Sequence, residues 1–314
     1  MAKRDYRQML AGSGPYLALA ALLAVCCISS ESFRQGQNLL NITRQVSYSG
    51  IIALGMTLVI IGGGIDLAVG SLLALAGCLA IQLMNQVSDP GLGLAAAMAA
   101  AMLVGLAGGA VNGALVSLGK IPPFIATLGT LSIYRSLALY GADAGLVTSR
   151  NELFGKLGAA TVAGVPLPVA VLLILTGLFS LLLNRTRFGR HLCATGASER
   201  VAIYAAIATG RVRFMTYLLA GFTVGVSAIL LGGRLNSVSS ANAGLSYELD
   251  AIAAVIIGGT AMSGGRGSVW GTLAGVMILG IVSNVLDMWG ISVNLQGMVK
   301  GLVIIGAVLI QRKR

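Results

Sequence analysis

The chain has 314 residues, of which 56% are hydrophobic and only 10% are charged, and its mean hydropathy is +0.89. No soluble domain of this length has such a composition, so the chain is predicted to be a polytopic membrane protein. A net charge of +11 would point to a nucleic-acid partner on a soluble domain, but here the basic residues are better explained by membrane topology. No nucleic-acid partner is therefore expected.

Ten apolar segments separated by short loops account for most of the sequence. At about 20 residues a span they leave no room for a separate soluble domain, so residues 1–314 are predicted to form one transmembrane domain. The predicted fold is all-α, with about ten transmembrane helices. The segments lie near residues 15–30, 46–62, 66–85, 92–118, 122–141, 162–183, 214–232, 249–263, 268–285 and 291–310.

The basic residues of the loops show which side faces the cytoplasm. Counted alternately from the N-terminus, the loops of one side carry fourteen Lys and Arg residues and those of the other side carry five. Such a bias marks the cytoplasmic side, so both termini are predicted to be cytoplasmic. We expect a multi-pass protein of the inner (plasma) membrane, with lipid around its spans.

The first outer segment, 31–45, is predicted to be a polar loop, and an unusual apolar run follows it. Residues 51–84 are almost continuously apolar but contain Asp66, directly behind three glycines at 62–64. A carboxylate at mid-bilayer costs about 2.5–3.5 kcal/mol on insertion scales. The run is therefore predicted to break at the glycines, with Asp66 at the start of the next helix, where free N–H groups stabilise its charge. Interrupted helices favour a transporter over an anchor.

The two halves of the chain resemble each other weakly. Residues 65–72 are similar to 249–256, with an acid opening each apolar helix, and 109–112 are similar to 280–284. Spans 2–5 and 7–10 are therefore predicted to be two four-helix repeats, inverted or parallel, plus connecting spans. Paired repeats are typical of alternating-access transporters. Spans 4, 7 and 9 also carry glycines four residues apart, which permit close helix contacts in lipid: Gly105/Gly109/Gly113, Gly221/Gly225 and Gly271/Gly275.

Two loops are long enough to have a role of their own. The outer loop 142–161 is either a plain surface or a contact for a soluble partner. The inner loop 184–213 is predicted to contain a short helix, with Ser198 as its N-cap and Glu199 in its first turn. This helix either docks on another protein or lies at the lipid headgroups. A stripe of small residues at helical spacing is predicted along it, formed by Ala202, Ala205, Ala206 and Thr209.

Sequence motifs for chemistry are absent from the chain. It contains no GxxxxGK[ST] phosphate loop, no HExxH, no GxSxG and no CxxC. His191 is the only histidine, and the four cysteines lack ligand spacing. We therefore predict no catalytic residue, no metal site and no cofactor in this chain, and we predict that it is not an enzyme.

Polar residues within or beside the spans are the candidates for a solute path, because such side chains usually face the bundle interior or a water-filled cavity. Arg135 and Lys300 are expected to pair with acids or to reach the membrane surface. The acids and asparagines have a structural alternative, as helix caps and as hydrogen-bond partners between helices. The path candidates are Asp66, Asn112, Glu248, Asp250, Asn284, Asn294 and Gln296.

Three segments resemble a known family, the ribose-type ABC transporter permeases of bacteria. They are GGGIDLAVGSLLALAG (62–77), RTRFGRHLCATGASERVA (185–202) and YELDAIAAVIIGGTAMSGGRGSVWGTLAGVMILGIVSN (247–284). The resemblance covers about 46–311. It implies an inner-membrane permease of about ten helices that works with a second copy or a paralogue. It further implies a separate cytosolic ATPase that binds the ATP, a periplasmic substrate-binding protein, and import of a monosaccharide or similar small polar solute by alternating access.

Residues 194–207 (ATGASERVAIYAAI) resemble the segment through which this family couples to its ATPase. Gly196 and Glu199 match the pattern, whereas Ser198, Val201 and Ala206 replace an asparagine, an alanine and a glycine. The resemblance favours docking on an ATPase over a lipid contact for this loop. The residues it implies in coupling are Gly196, Ser198, Glu199, Arg200, Ala202 and Ala206.

Two rival functions stay open at this point. The same type of importer carries other solutes, such as branched-chain amino acids or autoinducers. An ion-coupled secondary transporter would need no ATPase and would use Asp66 and Asp250 as its coupling carboxylates. A purely structural membrane scaffold is disfavoured by the interrupted helices.

Overall fold

The computed structural model describes the backbone of residues 6–312, and the side chains of that range except those of 6–12, 293–294, 303–304 and 307–312. Helices make up most of this part of the chain. The helices are α1 (Tyr6–Ser29), α2 (Glu31–Arg34), α3 (Gly36–Ile61), α4 (Val69–Gln86), α5 (Pro90–Ser117), α6 (Pro123–Gly141), α7 (Glu152–Ala159), α8 (Leu167–Arg185), α9 (Arg187–Ala197), α10 (Glu199–Tyr204), α11 (Thr209–Leu235), α12 (Tyr247–Ile257), α13 (Val269–Met288) and α14 (Val293–Arg312). The short strands are β1 (Leu146–Thr148), β2 (Thr161–Val162), β3 (Val165–Pro166) and β4 (Ser237–Ser239).

Six of the described helices are long and apolar enough to cross a membrane, namely α3, α4, α5, α8, α11 and α13. A helical, multi-pass membrane protein is therefore confirmed, whereas the structure does not confirm a count of about ten spans. The span predicted at 249–263 is helical only as far as Ile257. Gly258 caps α12, and Gly259 has a φ of +88°, a left-handed conformation that ends the helix.

The predicted polar loop at 31–45 is wrong, because most of it is helical. Residues 31–34 form α2, and α3 begins at Gly36, ten residues before the predicted span. Ile42 and Val46, one helical turn apart, are buried within the bundle. This apolar pair extends the buried face of α3 into a segment that polar composition alone marked as a loop.

Helices α3 and α11 form the centre of the bundle and run antiparallel. Ser227 Oγ donates to the carbonyl of Tyr48 at 2.8 Å. Tyr217 Oη, ten residues earlier in α11, donates at 3.3 Å to the carbonyl of Ile65, which follows the C-terminal end of α3. Helix α11 also packs on α4 and α5, and α3 packs on α12 and α13. The corresponding helices of the two predicted repeats therefore have matching neighbours, and their central helices point in opposite directions.

The predicted glycine contacts between spans are confirmed. Gly105 and Gly109 of α5 lie against Gly221 of α11, and the glycines of α13 lie against α12. A methyl group at these positions would overlap backbone atoms of the neighbouring helix, so only glycine permits the observed separation. The facing pairs are Gly105 with the Gly221 carbonyl, Gly109 with the Tyr217 carbonyl, Gly271 with the Gly258 carbonyl and Gly275 with the Ala254 carbonyl.

The loop 142–161 is an ordered cap at the end of α11. Strand β1 pairs antiparallel with β4, with Val147 opposite Val238. Helix α7 buries Phe154 and lies so close to α11 that a methyl group on Gly158 would overlap Gly233. The cap joins the segment after α6 to the segment after α11, and β4 continues directly into the loop before α12.

Candidate functional site

The chain breaks at the three glycines as predicted, and Asp66 lies in the break. Gly63 has a φ of +80°, and α4 begins at Val69, so Asp66 precedes the helix instead of opening it. Its carboxylate is only 1% exposed. Asp66 Oδ1 accepts a hydrogen bond from the Ala68 N–H at 2.9 Å. The backbone therefore supplies only one hydrogen bond to the carboxylate, and a side chain from another helix supplies the others.

That side chain is Asn112 of α5. Its Nδ2 donates to both carboxylate oxygens of Asp66, at 3.1 and 3.2 Å. Tyr134 Oη of α6 bonds to the carbonyl of Gly108 at 3.0 Å and to Asn112 Oδ1 at 3.3 Å. Two path candidates are thus joined in a closed, buried network. Tyr134 was not among the predicted residues. Its position within an apolar span was nevertheless informative, because a buried tyrosine hydroxyl needs a hydrogen-bond partner.

A cavity of about 550 Å³, lined by both polar and apolar side chains, lies between α3, α12, α13 and α14. Its volume falls within the range of small-molecule sites. Two predicted path residues, Asp250 and Gln296, line it. Its polar lining consists of Gln45, Ser49, Asn242, Ser246, Asp250, Ser283, Gln296 and Lys300. These side chains supply both donors and acceptors, and no single sign of charge dominates.

An ion pair crosses one wall of the cavity. Lys300 Nζ of α14 donates to Asp250 Oδ2 of α12 at 3.0 Å. The two side chains are 26% and 21% exposed. The expectation that Lys300 pairs with an acid is therefore confirmed. The pair joins α12 to α14 and leaves the cavity without a net charge from these two residues.

Arg135 was expected to pair with an acid or to reach the membrane surface. Its direct hydrogen-bond partners are backbone carbonyls, and the charge of Glu248 also acts on its guanidinium. Its guanidinium donates to the carbonyls of Ser240, Ala241 and Ala243, at 2.8 to 3.1 Å. These carbonyls belong to the turn between β4 and α12, which also supplies Asn242 to the cavity. A planar guanidinium with several donors suits such a cluster of acceptors.

The remaining path candidates lie away from this cavity. Asn284 of α13 forms a reciprocal amide pair with Asn38 of α3, at 3.1 and 2.9 Å. Glu248 faces α4, and a methyl group on Gly70 would lie 2.6 Å from its carboxylate. The side chain of Asn294 lies outside the part of the chain that the structure describes. Among the predicted candidates whose side chains the structure describes, Asp250 and Gln296 face the cavity.

The predicted coupling loop contains two short helices, α9 and α10. Ser198 Oγ accepts from the Val201 N–H at 3.5 Å and caps α10 as predicted, with Glu199 in the first turn. Glu199 also bonds to Arg213 of α11 at 2.8 Å. The start of α10 is therefore held against the membrane bundle.

The predicted stripe of small residues in this loop is wrong. Helix α10 ends at Tyr204, and Ala206 has a φ of +56° outside any helix. Ala202 and Thr209 are buried, whereas Ala205 and Ala206 are exposed. The exposed surface of α10 instead combines the charged Glu199 and Arg200 with three large apolar side chains, those of Val201, Ile203 and Tyr204. These three residues were missed, although three apolar residues in a basic loop were a visible signal.

Comparisons with known proteins identify relatives over almost the whole chain. A family model described as the permease component of the branched-chain amino acid transport system matches residues 38–308. The chain is 41% identical to the ribose import permease protein of Bacillus subtilis strain 168, over 96% of this chain and 92% of the relative. It is 35% identical to the D-allose transport system permease protein of Escherichia coli strain K12, over 95% and 91%.

A third relative extends the set of sugars. The chain is 33% identical to the L-arabinose transport system permease protein of Escherichia coli strain K12, over 95% of this chain and 90% of the relative. No solved structure matches the chain. The family match and these near full-length relatives confirm the resemblance seen in the three sequence segments. The chain belongs to the family of ABC transporter permeases that includes these sugar import permeases.

Proposed function

We propose that this chain is the transmembrane subunit of an ATP-driven importer of a monosaccharide. The observation that carries the proposal is the mixed polar lining of the cavity, which suits a neutral, hydroxyl-rich solute. Amide and hydroxyl side chains there offer both donors and acceptors. The names of the ribose, allose and arabinose relatives support the same class of cargo over amino acids or autoinducers.

Within the permease, the solute path is proposed to run through this cavity. Asp250, Gln296 and Lys300 would then face the moving solute, and the turn held by Arg135 would support one rim. Asp66 and Asn112 are assigned a structural role instead, because they hydrogen-bond to each other in a buried position. Asn284 is assigned a structural role as well, since its amide is paired with that of Asn38.

The full topology is proposed to contain ten spans. Besides the six long apolar helices, α1, α6, α12 and α14 would cross the membrane, α12 together with the segment that follows it. Spans 2–5 and 7–10 would be inverted repeats, which the antiparallel packing of α3 and α11 supports. The excess of basic residues supports a cytoplasmic location for both termini and for α9 and α10.

The proposed topology assigns each partner protein to one side of the membrane. A cytosolic ATPase would bind the ATP and dock on the coupling segment formed by Gly196, Ser198, Glu199, Arg200, Ala202 and Ala206 together with the exposed apolar side chains of α10. A substrate-binding protein would deliver the sugar at the opposite side, where the cap 142–161 lies. A second copy or a paralogue would complete the permease, and lipid would surround it.

The proposed cargo is tested by reconstitution in liposomes. With the ATPase and the binding protein encoded beside this chain, a panel of pentoses, hexoses, amino acids and other small solutes is added through the binding protein. We expect a monosaccharide to stimulate ATP hydrolysis together with its own uptake. Uptake driven by an ion gradient in the absence of any ATPase would contradict the proposal and would support the secondary-transporter function.

The docking surface is tested by Tyr204→Ala. Tyr204 is 88% exposed, so its loss is expected to leave the fold of the permease unchanged. A buried aromatic anchor contributes about 2 kcal/mol to an interface, so the ATPase is expected to bind roughly thirtyfold more weakly. The measurement is a titration of purified ATPase onto the permease in nanodiscs. Tyr140→Ala is the matched control, because Tyr140 is 86% exposed on α6. Equal affinities for both variants would contradict docking at α10.

A further inference from the structure

Three separate segments meet at one point beside the coupling loop. They are the end of α3, the end of α9 and the loop 258–268 between α12 and α13. The Gly265 N–H donates to the carbonyl of Ile61 at 2.8 Å. A methyl group on Gly196 would overlap the same carbonyl oxygen and would lie 2.5 Å from the Gly265 nitrogen. We call the four glycines at this contact, Gly63, Gly196, Gly264 and Gly265, the glycine junction.

Backbone touches backbone throughout the glycine junction. Gly264 and Gly265 have φ values of +83° and +78°, which favour glycine. A methyl group on Gly264 would lie 2.9 Å from the Gly196 carbonyl oxygen and 3.2 Å from Gly63 Cα. One on Gly265 would lie 2.7 Å from Ala197 Cα. Because the backbones touch directly at these glycines, a displacement of one segment is passed to the others.

The three segments lead to different parts of the molecule. Helix α9 continues through Ser198 into α10, which carries the exposed apolar side chains of the coupling loop. The end of α3 belongs to the central helix of the bundle. The loop 258–268 joins α12 to α13, and both of these helices line the cavity, as do residues of α3. The glycine junction thus joins the coupling loop to three helices that line the cavity further along their length.

A second observation at the junction concerns Thr195, the neighbour of Gly196. Its side chain is 1% exposed, and its hydroxyl has no hydrogen-bond partner among the residues that the structure describes. An unpaired buried hydroxyl raises the free energy of the arrangement that contains it. An unpaired hydroxyl of this kind is expected in an element that changes its contacts during the transport cycle, because a second conformation then supplies its hydrogen-bond partner.

We propose that the glycine junction transmits movement of α9 and α10 to α3 and to the α12–α13 pair, and that Gly196 is its central positioning residue. This inference rests on the proposed docking of an ATPase at α10. When the ATPase moves α10, Gly196 displaces Ile61 and Gly265 together. Ile61 belongs to α3, and Gly265 belongs to the loop between α12 and α13. These three helices of the cavity wall therefore respond to the same movement.

The first test is Gly196→Ala in the complete complex with its ATPase and binding protein. The added methyl group forces the three backbones apart, so in the complexes that assemble we expect sugar uptake per ATP hydrolysed to fall about tenfold. Gly210→Ala is the matched control, because its added methyl group would meet only the Ser117 carbonyl oxygen, at 3.9 Å. An assembled Gly196→Ala complex with the wild-type ratio of uptake to hydrolysis would overturn the proposal.

The second test uses the wild-type complex and does not depend on whether a variant folds. Amide hydrogen exchange is compared between the nucleotide-free complex and the complex trapped with ATP. We expect exchange in 258–268 to change together with exchange in 192–204. A change in 192–204 with none in 258–268 would overturn the junction while leaving the proposed function intact. A wild-type chain that holds no ATPase would overturn the proposed function, and the junction with it.

Discussion

Replacing Asn112 by leucine is expected to destabilise the protein by about 3 kcal/mol, because it leaves the buried Asp66 carboxylate with a single backbone donor. Leucine has the same branched arrangement of heavy atoms as asparagine but no polar group, so the loss mainly reflects the missing hydrogen bonds. Asn112 supplies two contacts, at 3.1 and 3.2 Å, to a carboxylate that is nearly inaccessible to solvent. The measurement is the melting temperature of the purified permease in detergent.

Asn284→Leu is the matched control for this prediction. Asn284 also lies in a long apolar helix and pairs with another helix, but its partner Asn38 is a neutral amide. An amide pair of this kind contributes about 1 kcal/mol, so a clearly smaller decrease in melting temperature is expected. If the two variants melt at the same temperature, Asp66 does not depend on Asn112, and its charge must be satisfied in another way.

Replacing Lys300 by methionine is expected to reduce both stability and transport. The variant leaves the Asp250 carboxylate in the cavity wall without its cation, at a cost of about 2 kcal/mol after allowance for partial exposure. Transport is expected to fall further than stability alone explains, because an unpaired negative charge faces the proposed solute path. The measurements are the melting temperature and sugar uptake in liposomes.

The double variant Asp250→Asn with Lys300→Met distinguishes charge from packing. Removal of both partners leaves no unpaired charge, so stability is expected to return close to the wild-type value. Arg34→Met is the matched control for a lost ion pair, since Arg34 and Glu31 form an exposed contact at 3.6 Å and little effect is expected. A double variant as unstable as Lys300→Met alone would show that the ion pair is not the cause.

Local sequence patterns predicted the features that depend on a few neighbouring residues. Glycines at 62–64 followed by Asp66 predicted a break, because a helix does not easily continue through three glycines toward a buried acid. Ser198 and Glu199 predicted the start of α10, since a cap and its first turn involve only adjacent residues. Glycine spacing predicted that α5, α11 and α13 make close helix contacts, whereas the structure decided which helices they contact.

Errors arose where a residue's state depends on distant partners. The polar segment before residue 46 is helical because the bundle buries Ile42 and Val46. The stripe through Ala206 is wrong because the chain must turn after Tyr204 to enter α11. No periodicity in the sequence shows that Arg135 holds three carbonyls more than a hundred residues away.

By itself, the sequence determined the membrane class, the family and the order of the elements, because hydropathy and motifs are properties of contiguous residues. The tertiary structure decided which polar residues of the two halves face one another. It joined Asp66 to Asn112, paired Asp250 with Lys300 around a cavity, and brought Gly196 against the Ile61 carbonyl and Gly265. These contacts depend on how helices far apart in the chain pack together, and packing of that kind leaves no periodic signal in any one helix.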